Sequence, residues 1–165
     1  MSEPAQRRSD EWDRLLAGGD DILARARLDN PALEGATLVA IGWATVEIER
    51  AERELETAIG DGGSWAEAPR DALLGARAGV YRSIAAERPL VVVLEPDTEG
   101  RLAASLARHG EGVAAAYVTV RAGEVLTAGA FGIPAGGPLG RGRRLARGGI
   151  GEPSIIVLDT HPSAS

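Results

Sequence analysis

The sequence predicts an α+β fold whose sheet is mostly antiparallel, and three observations support this class. Short apolar segments rich in β-branched residues recur along the chain, which is typical of buried strands. Only two helix patterns lie among these segments, so helices and strands do not alternate as they do in a doubly wound fold. The links between several segments are as short as those of hairpins, which favours antiparallel neighbours.

Composition limits the class of protein before any motif is considered. The chain has 165 residues, 44% of them hydrophobic and 25% charged, which suits one soluble domain with at most a small extension. It has no cysteine, so disulfides and thiolate chemistry are excluded. A net charge of −6 argues against duplex nucleic acid as the default partner, and we expect no nucleic-acid partner. Neither a signal peptide nor an apolar run long enough to span a membrane is visible, so we expect a cytoplasmic protein.

Residues 1–35 are predicted to form a helical extension made of two short helices. Ser9 is a suitable N-cap for the first helix, and the Gly-Gly pair at 18–19 is expected to end it. The second helix should run to about Leu28 and stop before Pro31, because the residue preceding proline avoids the α region. The apolar stripe of this extension can pack on its own domain or on a second subunit, and both alternatives stay open.

Residues 36–160 are predicted to form the main domain. It begins with a buried strand over 37–46 and an amphipathic helix over 47–59, whose apolar side chains recur at helical spacing. Two further strands, over 75–84 and 90–95, are separated by a short polar stretch that indicates a turn.

The second half of the domain is less regular. Thr98 is expected to cap a short helix that runs to about Arg108. Residues 124–128 fit either a strand or part of a turn, 131–151 are too rich in Gly, Pro and Arg to assign, and 161–165 should be a loose tail. We expect the four most apolar segments to be the central strands: 37–46, 90–95, 113–120 and 154–159.

Two segments resemble a known superfamily. The first is Leu38-Val-Ala-Ile-Gly-Trp-Ala-Thr-Val-Glu-Ile-Glu-Arg-Ala51, and the second is Leu94-Glu-Pro-Asp-Thr-Glu-Gly-Arg-Leu-Ala-Ala-Ser-Leu-Ala-Arg-His-Gly-Glu-Gly112. In order and spacing they are similar to the vicinal oxygen chelate superfamily, which includes glyoxalase I, methylmalonyl-CoA epimerase, extradiol dioxygenases and bleomycin-binding proteins. The resemblance implies a glyoxalase-like domain of paired βαβββ modules, whose curled sheet forms a cup.

The same resemblance bears on metal binding. Enzymes of the superfamily hold a divalent metal in the cup with residues on the first, fourth, fifth and eighth strands, usually two His or similar and two Glu. This chain has Ala40 and Ala115 at two of these positions, Glu95 at a third, and Asp159 near the fourth. Alanine has no donor atom, and two carboxylates do not complete a protein site. We therefore expect no tightly bound metal and no other cofactor.

Strand alternation predicts which side chains face the cup. If residue 40 points inward, the lining is mainly small and apolar with few polar groups, as in many small-molecule sites. The alternative is that such small side chains let the sheet close and fill the space. The residues that this rule places inward are Ala40, Gly42, Ala44, Val91, Val93, Glu95, Ala115, Tyr117 and Thr119.

Three of these side chains are polar and are therefore candidates for chemistry or binding. Glu95 could act as a general base, or it could bond a backbone amide or an arginine, as carboxylates at strand ends do. Tyr117 could donate a hydrogen bond to a ligand oxygen, or it could belong to the core with a hydrated hydroxyl. Thr119 is the third polar group of the expected lining.

One basic cluster lies in the Gly-rich stretch and consists of Arg141, Arg143, Arg144 and Arg147. No nucleotide-binding fingerprint accompanies it. Glycines let the backbone approach an anion, and arginine binds carboxylate or phosphate through two parallel hydrogen bonds. Arg143 and Arg144 are therefore candidate contacts to an anionic ligand at the mouth of the cup. An acidic patch on a partner protein and plain solvation are the alternatives.

These observations favour a metal-independent binding protein that holds a small organic molecule in the cup. One alternative is a metal-independent lyase or isomerase with Glu95 as its general base. The other is a regulatory partner protein that docks through the N-terminal helices and the arginine loop. A homodimer is a further expectation, since bleomycin-binding relatives form their cups at a dimer interface. A filled cup would favour the partner protein over the other two functions.

Overall fold

The computed structural model describes residues 3–121, 130–146 and 151–159, with side chains from residue 10 onward. The predictions for 124–128, for the tail and for Arg147 fall outside these ranges. Within them lie three helices, a short 3-10 turn and eight strands. The helices are α1 (Glu3–Asp29), α2 (Ile48–Ile59) and α3 (Arg101–His109); the strands are β1 (Thr37–Ala44), β2 (Ser64–Asp71), β3 (Ala76–Arg82), β4 (Leu90–Pro96), β5 (Gly112–Thr119), β6 (Ala135–Gly137), β7 (Gly140–Arg144) and β8 (Ser154–Leu158).

The eight strands form one mixed sheet in the order β2-β3-β4-β1-β5-β8-β7-β6. β1 is parallel to β4 and β5 is parallel to β8, whereas the remaining neighbours are antiparallel. The strand order is therefore repeated on the two sides of the β1–β5 pair. The sheet edges approach each other where the Ala72 amide donates to the Gly136 carbonyl at 3.0 Å, so the sheet is curled nearly into a barrel. The four strands predicted to be central occupy its middle, which confirms that expectation.

α2 covers the convex face of the first half of the sheet. Its buried side chains meet Ile41, Val91 and Val93 in one apolar cluster. The helix ends at Gly60, whose φ of 53° lies in the left-handed region that glycine adopts readily. The buried face has the helical spacing expected from the sequence and consists of Ile48, Ala51, Leu55 and Ile59.

The N-terminal extension is one continuous helix, so the predicted division into two short helices is wrong, and Ser9 lies inside α1 instead of capping it. The glycines at 18 and 19 do not end the helix because α1 packs directly against the sheet there. A Cβ atom on Gly18 would lie 3.0 Å from Val113 Cγ2, and one on Gly19 would lie 3.0 Å from Ile41 Cγ1. Packing against the sheet thus offsets the low helix propensity of glycine, which costs about 1 kcal/mol per residue.

α1 packs on its own domain and spans both halves of the sheet. Trp12 and Leu15, in its first half, join the apolar cluster around α2. Leu23, in its second half, packs in a separate cluster with Val118 of β5 and Ile155 of β8. This second half covers the convex face of β5 and β8, as α2 covers that of β1 and β4. No described helix, α1 included, is long and apolar enough to cross a membrane.

Three strands and one helix start differ from the prediction. β2 was not predicted because its sequence is polar and contains Pro69, which suits an edge strand with a free amide side. β6 and β7 lie in the unassigned Gly- and Arg-rich stretch, where apolar alternation is absent. α3 begins at Arg101 with Gly100 at its N-cap, so Thr98 is not the capping residue.

Candidate functional site

The floor of the concave face is formed by β1, β4, β5 and β8. Gly42 of β1 is aligned with Ala115 of β5 on one side and with Val92 of β4 on the other. Ala40, Ala44 and Tyr117 belong to the same buried cluster, and each is at most 1% exposed. The structure therefore places Ala40, Ala44, Ala115 and Tyr117 together on the concave face.

The described side chains pack tightly against one another on this floor. A Cβ atom on Gly42 would lie 2.7 Å from the Cβ atom of Ala115, 3.1 Å from Leu94 Cδ1 and 3.4 Å from Tyr117 Cε2. Real Cβ atoms do not approach a carbon to 2.7 Å, so even one methyl group at residue 42 would require its neighbours to move. The small residues at this point serve close packing.

Val93 and Glu95 lie on the convex face, so their expected place in the cup lining is wrong, as is that of Val91. Ala40 is aligned with Leu90 and Gly42 with Val92, and aligned residues of neighbouring strands point to the same side. Leu94 is therefore the third inward residue of β4. Val91 and Val93 pack in the apolar cluster beneath α2.

Glu95 holds the beginning of α2. Its Oε2 atom accepts a hydrogen bond from the Ile48 amide at 2.8 Å, and its Oε1 atom accepts one from Arg77 Nη1 at 3.2 Å. Glu47, at the N-cap, makes no capping bond of its own, so a carboxylate from β4 satisfies a free amide of the helix. This arrangement matches the alternative in which Glu95 bonds a backbone amide and an arginine.

A second carboxylate, Glu111, supports the same helix start from the turn before β5. Its Oε1 atom accepts hydrogen bonds from Thr45 Oγ1 at 2.6 Å, from the Val46 amide at 3.0 Å and from Arg50 Nη2 at 2.5 Å. The bond from Arg50, aided by those from Thr45 and Val46, lowers the pKa of Glu111 to about 2.

Because this pKa is depressed in the folded protein, the Glu111 contacts stabilise the fold above the ordinary carboxyl pKa of 4.5 and are lost as the pH falls towards about 2. We expect Glu111→Gln to melt at a lower temperature than the unmodified protein at neutral pH and to be less sensitive to acid in that interval. Thermal denaturation at a series of pH values measures both effects. Glu54→Gln is the matched control, since Glu54 also bonds Arg50 but is 63% exposed. Equal acid sensitivity of Glu111→Gln and Glu54→Gln would contradict this assignment.

A buried aspartate that the sequence analysis did not single out meets Tyr117 inside the sheet. The Tyr117 hydroxyl donates a hydrogen bond to Asp71 Oδ2 at 2.6 Å, and Asp71 is fully buried. The Oδ1 atom of Asp71 accepts the amides of Leu73 and Leu74, both at 2.9 Å. Burial, followed by the charge and hydrogen bond of Asp71, raises the pKa of Tyr117 well above 10.

The two arginines proposed as ligand contacts lie on opposite faces of β7. Arg144 is aligned with Ile156, which belongs to the concave cluster, whereas Arg143 is aligned with Val157 on the convex side. The prediction that both reach the mouth of the cup is therefore wrong for Arg143. Thr119 is partly buried at the end of β5, opposite Thr37.

Arg144 is partly buried and faces no described counterion. Its Nη1 atom donates to the Leu145 carbonyl at 3.1 Å, and no described carboxylate forms an ion pair with it. Burial lowers its pKa, and the positive charge of Arg101 at the start of α3 lowers it further. An anion bound at this position would offset both the burial of the Arg144 charge and its repulsion from Arg101.

The residues at the metal positions of the superfamily do not fit a metal. Ala40 and Ala115 have no donor atoms, and the Glu95 carboxylate lies on the opposite face of the sheet. Among the described residues, no group of three or more His, Asp or Glu side chains is placed to hold a cation.

No family model matches the sequence, and no curated protein matches it. Solved structures do match. A methylmalonyl-CoA epimerase from Mycobacterium tuberculosis superposes with a TM-score of 0.59 at 14% identity, covering 76% of this chain and 88% of that one. A hypothetical protein from Bacillus halodurans C-125 gives 0.56 at 18% identity, covering 79% and 99%. A Streptomyces coelicolor methylmalonyl-CoA epimerase variant in complex with 2-nitronate-propionyl-CoA gives 0.54 at 16% identity, covering 77% and 97%.

These similarities agree with the resemblance found in the sequence. The chain has the glyoxalase-like α+β fold of the vicinal oxygen chelate superfamily. At identities of 14–18% the comparison concerns the fold.

Proposed function

We propose that this protein binds a small organic anion without a metal and that Arg144 is the principal contact. The observation that carries the proposal is the environment of Arg144, a partly buried guanidinium on the concave face with no described acidic partner. Buried or partly buried charges in proteins are normally paired. A ligand that carries a carboxylate or phosphate would supply the missing partner.

The charge distribution of the protein limits where an anion can bind. The protein has a net charge of −6, so an anion is repelled by the molecule as a whole and needs a local positive field to bind. Arg144 would supply that field. The ligand would lie beside β7, because the floor around Gly42 is filled by side chains.

Coenzyme A is a suitable first probe, because it carries phosphates and because a similar structure is a complex with 2-nitronate-propionyl-CoA. We expect coenzyme A to bind in isothermal titration calorimetry, with a dissociation constant raised about tenfold or more in Arg144→Gln. Arg143→Gln is the matched control, since it removes the same charge from the adjacent residue on the opposite face. Its affinity should stay close to that of the unmodified protein.

Inorganic phosphate extends the test to the anionic group alone. Phosphate should raise the melting temperature of the unmodified protein and of Arg143→Gln, but not that of Arg144→Gln. The proposal would be overturned if neither probe bound, or if Arg143→Gln and Arg144→Gln weakened binding equally.

A non-catalytic partner protein is the second candidate, and the packed floor of the cup is the observation that favours it. For the metal-independent enzyme we find no comparable support, because both oxygens of Glu95 bond groups on the convex side. Self-association stays a prediction that light scattering of the purified protein would test.

A further inference from the structure

Ser154, at the start of β8, lies on the concave face of the sheet beside the strand that carries Arg144. It is aligned with Ala115 of β5, as Ile156 is aligned with Tyr117, and aligned residues of neighbouring strands point to the same side. Ala115 and Tyr117 belong to the concave cluster. The Ser154 side chain therefore shares the face on which Arg144 lies.

The Arg144 side chain is turned towards Ser154. Arg144 is aligned with Ile156 of β8, and the Leu145 amide donates to the Ile155 carbonyl at 2.9 Å, which continues the antiparallel pairing by one residue. The next residue of β8 in that direction is Ser154. Because Arg144 Nη1 donates to the Leu145 carbonyl at 3.1 Å, the guanidinium is directed towards the same end of β7.

Both side chains can be reached by a ligand. Ser154 and Arg144 are each partly exposed, and Ala146, two residues beyond Arg144, is exposed and ends in a methyl group. Within the part of the chain that the structure describes, the Ser154 hydroxyl makes no hydrogen bond, and Arg144 bonds only the Leu145 carbonyl. The corner between β7 and β8 thus presents a hydroxyl and several guanidinium N–H groups as donors.

The charge at this corner favours a dianion over a monoanion. Burial lowers the pKa of Arg144, and the positive charge of Arg101, at the start of α3, lowers it further. A carboxylate carries one negative charge, whereas a phosphate monoester carries nearly two at neutral pH, because its second pKa is about 6. Its phosphoryl group also has three terminal oxygens, which can accept from a guanidinium and a hydroxyl together.

We propose that the anion site beside β7 binds the phosphoryl group of a phosphate monoester and that Ser154 is its second contact. This inference rests on the anion site proposed above and names the chemical group that fills it. Arg144 would bind two phosphoryl oxygens through parallel hydrogen bonds, and the Ser154 hydroxyl would donate to the third. Arg101 would act through its charge, without a direct contact.

Ethyl phosphate and propionate are the probes, because they carry the same ethyl group and differ in the anionic group. In isothermal titration calorimetry at neutral pH and constant ionic strength, we expect ethyl phosphate to bind about tenfold more tightly than propionate. Ser154→Ala should raise the dissociation constant of ethyl phosphate about tenfold, because a hydrogen bond to a charged group is lost. Ser64→Ala, the same change at the exposed start of β2, is the matched control and should bind as the unmodified protein does.

Arg101→Gln tests the argument from charge. It should weaken the binding of ethyl phosphate more than that of propionate and so bring their dissociation constants closer together. Because this ratio compares two ligands on one variant, a general loss of packing does not change it. Arg143→Gln removes an equal charge from the convex face and should change the ratio less. An unchanged ratio in Arg101→Gln would contradict the choice of a phosphoryl group.

Two further results would refute the inference. One is that propionate binds as tightly as ethyl phosphate, and the other is that Ser154→Ala and Ser64→Ala bind ethyl phosphate equally. In either case the anion site itself would stand if Arg144→Gln still weakened the binding of both probes. If Arg144→Gln bound both probes as the unmodified protein does, the site beside β7 would be refuted together with the role of Ser154.

Discussion

Replacing Ala115 by leucine is expected to lower the free energy of unfolding by about 1–3 kcal/mol, because three more carbon atoms would enter filled space. Ala115 is fully buried and lies opposite Gly42, where a methyl group would already approach it to 2.7 Å. In a chain of this size each kcal/mol lowers the melting temperature by about 2–4 °C, so thermal denaturation will detect the change.

Ala66→Leu is the matched control for this substitution. Ala66 also lies on a strand, but it is exposed, so the same added volume should change the melting temperature little. If Ala115→Leu had the same melting temperature as the unmodified protein, open space would exist beneath β5. A ligand site in the floor of the cup would then replace the site that we propose beside β7.

The central part of the fold could be predicted because its strands carry a strong local signal. β1, β4, β5 and β8 are compact apolar segments bounded by Gly, Pro or polar residues, and burial on both faces accounts for that composition. β2 and β7 lie towards the edges and are rich in polar residues, so no apolar pattern marks them. β2 pairs with the adjacent β3, and β7 pairs with β6 and β8, so these strands are held by their ladders without an apolar periodicity that the sequence could reveal.

The direction in which β4 faces could not be predicted for a related reason. Leu90 to Leu94 is apolar at every position, so alternation does not tell the two faces apart. The resemblance suggested that Glu95 pointed inward, whereas the alignment of β4 with β1 places it outward. On β5 the expected faces of Ala115 and Tyr117 match the structure, although the same alternation rule gave the wrong face on β4.

The polar groups that define the interior were harder to predict. Asp71 lies in a polar segment that gave no strand signal, and its partner Tyr117 is far away in sequence. A local clue was present, since Asp followed closely by Gly75 is typical of a turn held by the aspartate side chain. Nothing in the sequence indicated that this turn would reach the inside of the sheet.

Replacing Asp71 by alanine is expected to have the largest effect on stability, about 3–5 kcal/mol, because Asp71 is a buried carboxylate with three donors. The substitution would leave the amides of Leu73 and Leu74 and the hydroxyl of Tyr117 without their acceptor. Denaturant unfolding measures the loss. If Asp71→Ala does not fold, Asp71→Asn is the substitute, since its amide oxygen keeps the Leu73 and Leu74 bonds. A cost below about 1 kcal/mol for Asp71→Ala would contradict the assignment.

Tyr117→Phe removes only the hydroxyl and should cost about 1.5–3 kcal/mol, as expected for a hydrogen bond to a charged group. The double variant with Asp71→Asn should cost less than the sum of the two single changes, because both remove the same contact.

The pH dependence gives a separate test. The pKa of Tyr117 is raised in the folded protein, so its contribution to stability is complete below the ordinary value of 10 and falls as the pH rises above it. Tyr117→Phe should therefore lose less stability between neutral and strongly alkaline pH than the unmodified protein. The stability that Tyr117→Phe still loses at alkaline pH should include the contribution of Tyr81, whose pKa is raised by burial and by its bond to Asp61. If Tyr117→Phe and the unmodified protein lost stability in parallel above pH 10, the Tyr117 hydroxyl would be exposed to solvent and the interior would be open.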